Sequence, residues 1–320
     1  MGLARYLLAA ALALGATAVH AQYTTDRPIR LIVPFAPGSG TDVAARLLAT
    51  SLSESIKRPI LIENKPGALA TIGTDAAAKS APDGHTLVAT GSTALAAAPS
   101  LFKKLPYDPV GDFAPVYLLA TAPLALFVSS ESPARDLQGL IAEAKAKPGK
   151  LSYASGNATG AVAGEMLKQF AGIDLFHVPY KNSPQGLNDL AGGQVSMMFN
   201  DIAGATPLMK AGRLRPLAVT SKGRARALPD VPSLYDAGYR GYELYNWVGI
   251  LGPAKTSPEI VGYLAREIAK VAAQPEFKEK FERVGLDLVT DSNPEAFAAY
   301  IKSETANWTR QIKAAGIQPE

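Results

Sequence analysis

The sequence predicts an α/β protein of two lobes, each a mainly parallel sheet flanked by helices, with a ligand cleft between them. Short β-branched runs alternate with amphipathic helical patterns along the chain, the signature of successive βαβ units. The chain has 320 residues, more than a single hydrophobic core ordinarily organises. Two segments read as crossings between lobes. In Leu119 to Ala125 two strands follow each other almost without a turn, and Tyr245 to Pro253 leads into a helical C-terminal block.

In chain order, Arg5 precedes an apolar stretch from Tyr6 to Val19, and Val19-His20-Ala21 stands before Gln22. This reads as a secretory signal peptide, residues 1–21, cleaved after Ala21. As an anchor the run is short and only mildly apolar against the ~20 residues a span needs. No later stretch reaches that length without a charge or a proline. There is no cysteine, hence no lipid-anchoring thiol, disulfide or thiolate metal site. The exported chain must be stable from its core alone.

Strand-like runs follow at Ile29 to Pro34, Ile60 to Glu63, Thr86 to Thr90, Val116 to Ala120, Leu124 to Ser129, Leu151 to Ala154, Leu175 to Val178, Val195 to Phe199 and Pro216 to Thr220. Helical stripes lie between them, such as Val43, Leu47, Leu48, Leu52 and Ile56, or Leu137, Leu140, Ile141 and Ala144 ended by Pro148-Gly149. Helices are expected at Pro258 to Ala273, Pro275 to Val284 and Pro294 to Ala315. If that block packs back on the first sheet, lobe one is discontinuous, 22–121 with 250–320, and lobe two is 122–249. The hinges are then expected near Ala120 to Pro123 and Trp247 to Gly249. Ligands in open α/β sheets sit at the carboxyl ends of strands, so the loops there are the candidate site.

Hydrophobic residues make up 48% of the chain and charged ones 19%, with a formal net charge of +4. That mild excess reads as ordinary solubility. No Lys/Arg cluster is interleaved with aromatics, which argues against nucleic acid as a partner.

The loop after the first strand, Phe35-Ala-Pro-Gly38-Ser39-Gly40-Thr41-Asp42, has two glycines that allow close backbone approach and a helix opening behind it, a place to hold an anion. Its spacing matches neither the dinucleotide nor the phosphate-loop fingerprint, and no cofactor is expected. Thr41 or Asp42 could instead simply cap the helix. Small neutral donors recur at two more strand ends. One is Thr90-Gly91-Ser92-Thr93; the other is Ser155-Gly156-Asn157-Ala158-Thr159-Gly160 in lobe two. Such donors suit a cage that grips a carboxylate through main-chain N–H and hydroxyl groups. Lys181, after Tyr180, is the nearest candidate cation. Asn200-Asp201 ends a strand and either projects into the cleft or caps the next helix. His85 reads as a surface turn residue and His177 as a packed strand residue; no His pair has zinc spacing. The serine hydrolase elbow is absent, as are paired carboxylates at strand ends. The loops look built to hold rather than convert, so no enzyme activity is expected.

From about Tyr23 to Pro319 the chain resembles the Bug family, the periplasmic substrate receptors of tripartite tricarboxylate transporters. The residues that carry the resemblance are Pro28-Ile-Arg-Leu-Ile-Val-Pro-Phe-Ala-Pro-Gly38, Glu63-Asn-Lys-Pro-Gly67, Ala81-Pro-Asp-Gly84, Lys104-Leu-Pro-Tyr-Asp-Pro109, Asp112-Phe-Ala-Pro115, His177-Val-Pro-Tyr-Lys181, Gly192-Gly-Gln-Val195, Leu217-Ala-Val-Thr220 and Leu228-Pro-Asp-Val-Pro232. The resemblance implies a two-lobe periplasmic-binding-protein-like fold, type II-like, that closes around a small organic acid. It also implies delivery to two integral-membrane subunits of an ion-driven transporter, and a monomer suits such a closing receptor. Carried over by position, Phe35 covers the ligand and the Gly38, Ser39, Gly40 and Thr41 amides receive its carboxylate. Ser155, Gly156, Asn157, Ala158 and Thr159 face them, partly through water, with Ser92, Thr93, Tyr180 and Asp201 nearby. Departures stand at Ser39, at Ala158 to Ala163, at Asn182 and at Asn200-Asp201; the small apolar ones imply a less polar pocket floor, open to an aromatic or longer-chain acid. A sensor subunit reporting to a membrane kinase is the alternative, and an exported hydrolase or isomerase using Asp201 or His177 a further one.

Overall fold

The computed structural model describes residues 27–319; the signal peptide expected over residues 1–21 and its cleavage after Ala21 lie outside them. The chain begins with β1 (Ile29–Val33), whose run Ile-Arg-Leu-Ile-Val is buried except at Arg30. α1 (Gly40–Ile56) crosses over to β2 (Ile60–Asn64), burying Ala44, Ala45, Leu48 and Leu52 and ending where Lys57 takes a left-handed conformation. α2 (Thr71–Ala78) then leads to β3 (Thr86–Gly91). Both β2 and β3 pair parallel to β1. A buried π-helical turn, Ser92–Ala97, runs into α3 (Ala98–Leu101).

The next strand departs from the sequence expectation. Instead of two strands there is one, β4 (Phe113–Ser129), of 17 residues. Pro123, at the end of the expected hinge Ala120 to Pro123, pairs with Tyr245 where the strand changes partner, and Leu124 begins the next ladder opposite Asp201. A missing N–H is tolerated at such a change. Leu124 N–H donates to Thr220 Oγ1 at 2.9 Å and Thr220 N–H donates back to Leu124 O at 2.9 Å, closing the seam.

α4 (Leu137–Ala146), β5 (Ser152–Ser155), α5 (Ala158–Ala171), β6 (Phe176–Pro179), α6 (Ser183–Ala191), β7 (Met197–Asp201), α7 (Ile202–Lys210) and β8 (Leu214–Val219) build the second sheet. β9 (Tyr245–Pro253) returns to the first sheet between β3 and β4, followed by α8 (Pro258–Ala272), α9 (Pro275–Glu282), β10 (Asp287–Leu288) and α10 (Pro294–Ala314). The strand order is β2-β1-β3-β9-β4-β7-β5-β6, with β8 and β10 also on β4. The outer βαβ strands are parallel as expected. β4 and β9 are antiparallel to their neighbours; β4 is shared by both sheets, while β9 lies wholly in the first.

α10 binds the two halves together. Its Phe297, Ile301, Trp308 and Ile312 are buried in one continuous cluster with Leu95 beside β3 and with Val162 and Leu167 of α5. Trp247 of β9 meets Phe297 and Tyr300 edge-on, with ring centroids 5.8 and 5.5 Å away. His85 is corrected from surface to buried: the Arg58 guanidinium, buried as well, lies against its ring. Among the described residues no helix is long and apolar enough to cross a membrane.

Gly91 shows how close β3 and β9 come, since a Cβ there would lie 1.7 Å from the Trp247 carbonyl oxygen. Gly91→Ala is therefore expected to cost about 3 kcal/mol through backbone overpacking, measured by urea unfolding; unchanged stability would contradict this approach of the strands.

Candidate functional site

Two strand ends face each other across one cleft, and a third packs against the first of them. At the first, β1 gives way to Pro34-Phe35, Gly38 takes φ +82°, and Ser39 rather than Thr41 or Asp42 caps α1, its Oγ accepting from Asp42 N–H at 3.3 Å. Asp42 is buried and turns back on the loop. Its carboxylate accepts from Gly38 N–H at 2.9 Å, Arg46 Nε at 2.9 Å and Asn64 Nδ2 at 2.8 Å. Asn64 also donates to Phe35 O at 3.0 Å. Burial works to raise the Asp42 pKa, but the hydrogen bonds from Arg46, Asn64 and Gly38 hold it below the usual value. The loop is thus fixed from behind, and the Gly40 and Thr41 amides find no partner among the described residues. They are the orphan donors of a helix start, where a negative charge is favoured.

The second strand end repeats the plan. Asn157 caps α5, accepting from Gly160 N–H and from Thr159 Oγ1, each at 2.8 Å. A Cβ at Gly156 would lie 2.2 Å from Ser183 N, so only glycine admits the start of α6 there. That helix is capped by Asn182. Ser155 Oγ lies 2.7 Å from His177 Nε2, and the imidazole stacks on Tyr153 at 4.5 Å. With the proton on Nε2, the ring donates to Ser155 and leaves that hydroxyl's hydrogen for an acceptor beyond.

At the third strand end, β7 delivers Asp201 against the first loop. A Cβ at Gly40 would lie 2.8 Å from Asp201 Oδ2, and one at Gly204 would lie 3.4 Å from Gly38 O. Asp201 is buried and accepts from Asn246 Nδ2 at 2.9 Å. Burial pushes its carboxyl above the usual range, against the opposing Asn246 bond. It stands at the start of α7 without a side-chain cap bond. Asn200 donates to Asp201 O at 3.0 Å while its buried Oδ1 has no partner among the described residues.

Between these loops the cleft encloses about 20 Å³, the room of one water. Phe35, Ser39, Gly156 and Asn157 line it, together with Lys181, Asn182, Ser183 and the segment from Pro66 to Ala70. Gly38, Gly40 and Thr41 form the loop behind Ser39. Ala158 and Thr159 are buried at the start of α5. Ser92 and Thr93 are buried outside the cleft; Ser92 Oγ accepts from Trp247 N–H at 2.9 Å and so serves the β3–β9 seam. Tyr180 leans on α6, its hydroxyl facing Asp189. Ala158, Val162 and Ala163, expected to soften the pocket floor, are instead core residues; the apolar side of the cleft is the Pro66–Ala70 segment, which the sequence did not single out. Its one signal was the Glu63-Asn-Lys-Pro-Gly67 turn.

The model of the tripartite tricarboxylate transporter family receptor matches residues 44–317. A protein encoded in the tcbD–tcbE intergenic region of Pseudomonas sp. is 36% identical, over 98% of this chain and 94% of its own length. Protein BugT of Bordetella pertussis is 34% identical over 95% of this chain and 94% of itself. Among solved structures, the periplasmic binding protein BugD superimposes with a TM-score of 0.88 at 32% identity, covering 93% of this chain and all (100%) of BugD. An R. palustris protein solved with adipate gives 0.89 at 32% identity, over 92% and 99%. MatC of Rhodopseudomonas palustris, with bound malate, gives 0.83 at 29%, over 89% and 99%.

Removing the clamp tests the first loop. Asp42→Ala strands three donors and is expected to cost about 1.5–3 kcal/mol, read by chemical denaturation; a neutral result would mean the loop holds itself. The imidazoles give a pH signature. Burial lowers the His177 pKa, Glu165 opposing and Lys168 reinforcing, and burial lowers that of His85 too. The charged form is disfavoured in the fold, so this stability is complete above about pH 6.5 and is lost as pH falls through the lowered folded value. Melting temperature is expected to drop between about pH 7 and 5, with a shallower slope in His177→Gln; parallel curves would exclude His177 as a source.

Proposed function

The chain belongs to the tripartite tricarboxylate transporter receptor family, whose members are periplasmic solute-binding receptors, and from that premise we propose that it closes around one small organic carboxylate and presents it to a membrane transporter. The observation that carries this is the facing pair of capped helix starts, α1 and α5, on opposite sides of one cleft. Relatives solved with adipate and malate make a carboxylate the class to test.

In this reading the Gly38 to Thr41 loop receives the carboxylate, Phe35 covers it, and Ser155 to Thr159 close from lobe two. Neutral donors suffice because each helix start adds ~0.3–1 kcal/mol for an anion. Lobe one comprises 22–121 and 250–320 and lobe two 122–249, after removal of residues 1–21. The hinge is where β4 passes between the sheets, at Pro123 to Leu124, and where the chain re-enters the first sheet just before Tyr245; the expected second hinge, Trp247 to Gly249, lies inside the β9 ladder, so residues 245–249 side with lobe one rather than lobe two. Ligand shifts the open–closed balance only by binding the closed form better. The receptor acts as a monomer, engages two integral-membrane subunits, and returns its ligand unchanged.

A receptor freed of ligand by unfolding and refolding should gain about 2.7 kcal/mol at a hundred times the dissociation constant of its acid, visible as a higher melting temperature. A folded protein that no acid shifts would sink the proposal. Gly40→Ala, whose methyl would lie 2.8 Å from Asp201, is expected to push the first loop off β7, lowering the unliganded melting point and weakening binding by about tenfold, or ~1.4 kcal/mol. Wild-type affinity in that variant would place the closing contact elsewhere.

A further inference from the structure

Gly67, Ala68, Leu69 and Ala70 have φ of +137°, +43°, +50° and +70°. Three consecutive residues with side chains in the left-handed region are sterically unfavourable. Such strain persists only where the surroundings over-determine it, and it gathers at ligand clamps. Here the surroundings are explicit. Thr71 donates to Ala68 O from both N (3.1 Å) and Oγ1 (2.8 Å), and Thr74 to Ala70 O from both N (3.2 Å) and Oγ1 (2.8 Å). Gly73 is pressed against Lys65 O and Pro34, with 2.6 and 2.8 Å available to a Cβ.

The turn presents Leu69 to the cleft, 39% exposed, instead of to the core. With Pro66, Ala70 and Phe35 it makes one wall of the cleft apolar. The opposite wall is polar: Asn157, Asn182, Ser183 and Lys181, the one charged side chain among the described residues that line it. Among the described residues no carboxylate lines the cleft to meet an ammonium group. A hydroxyl or amine turned toward Leu69 would lose water without gaining a partner, whereas a hydrocarbon chain or ring would not.

We propose that Leu69 is a specificity-determining residue, and that the preferred ligand is an acid with an apolar aliphatic or aromatic body rather than a hydroxylated, amino-substituted or tricarboxylic acid. This rests on the carboxylate-receptor reading above and names its substrate class. The left-handed turn is the device that sets the leucine in place.

Isothermal titration of the refolded mature receptor with hexanoate, benzoate, malate, glutamate and citrate tests both. The wild type should bind hexanoate or benzoate at least about tenfold more tightly than malate. Leu69→Asn, a residue tolerant of left-handed backbone, should lose about tenfold for the apolar acids and little for malate. Leu69→Ala, read alongside it, separates loss of the side chain from any change in the turn, and circular dichroism checks both folds. Tighter binding of malate, glutamate or citrate, or an apolar preference that neither variant reduces, overturns the inference while the receptor reading stands. A folded wild type that binds none of the five and is shifted by no other acid overturns the receptor reading itself.

Discussion

The pairing of β4 with β9 is the constraint on which the rest of the molecule depends. A hydrogen-bond ladder admits few geometries, and here one 17-residue strand serves first one sheet and then the other. The seam at Pro123 and Leu124, closed by Thr220, fixes how the second sheet is set against the first. The loops after β1, β2, β5 and β6 consequently converge on one gap, and the end of β7 packs against the first of them. Glycine is needed where they touch: at Gly40 against Asp201, and at Gly156 against the start of α6. Binding geometry follows from strand pairing far from any ligand.

The electrostatics around that gap are economical. Two carboxylates, Asp42 and Asp201, lie close to it, yet neither lines the cleft. Asp42 spends its oxygens on Gly38, Arg46 and Asn64, and burial drives Asp201 toward its neutral form. A buried arginine would bring a desolvation penalty that a helix start avoids. Main-chain N–H groups at α1 and α5, with Lys181 at the edge, leave a mildly positive, preorganised site that needs no buried ion pair.

Much of this was legible in the sequence, for identifiable reasons. β-branched runs and helical stripes mark where strands and helices fall because burial enforces periodicity. The glycine loops stood out because glycine is costly except where backbone must approach something. The features that were not legible depend on distant partners. Ala120 to Pro123 reads as a hinge between two strands until one strand is seen to change neighbours there. His85 reads as exposed in its Asp-Gly turn until Arg58 packs over it. Ala68-Leu69-Ala70 gives no local hint of left-handed backbone, since only the Thr71 and Thr74 side chains and the pressure of Pro34 on Gly73 impose it. Asn246, which donates to Asp201, lies 45 residues away in sequence.

The position of β9 between β3 and β4 also orders events in time. The strand that completes the first sheet is made only after the whole of the second, and α10, which ties the halves together, comes last of all. Until then β3 and the front of β4 have open edges, and the chain relies on contacts of long sequence separation that form slowly. Covering those edges needs β9 and α10, which belong to the final quarter of the chain. The contacts that close the fold are thus the ones a chain emerging from its N-terminus can make only late.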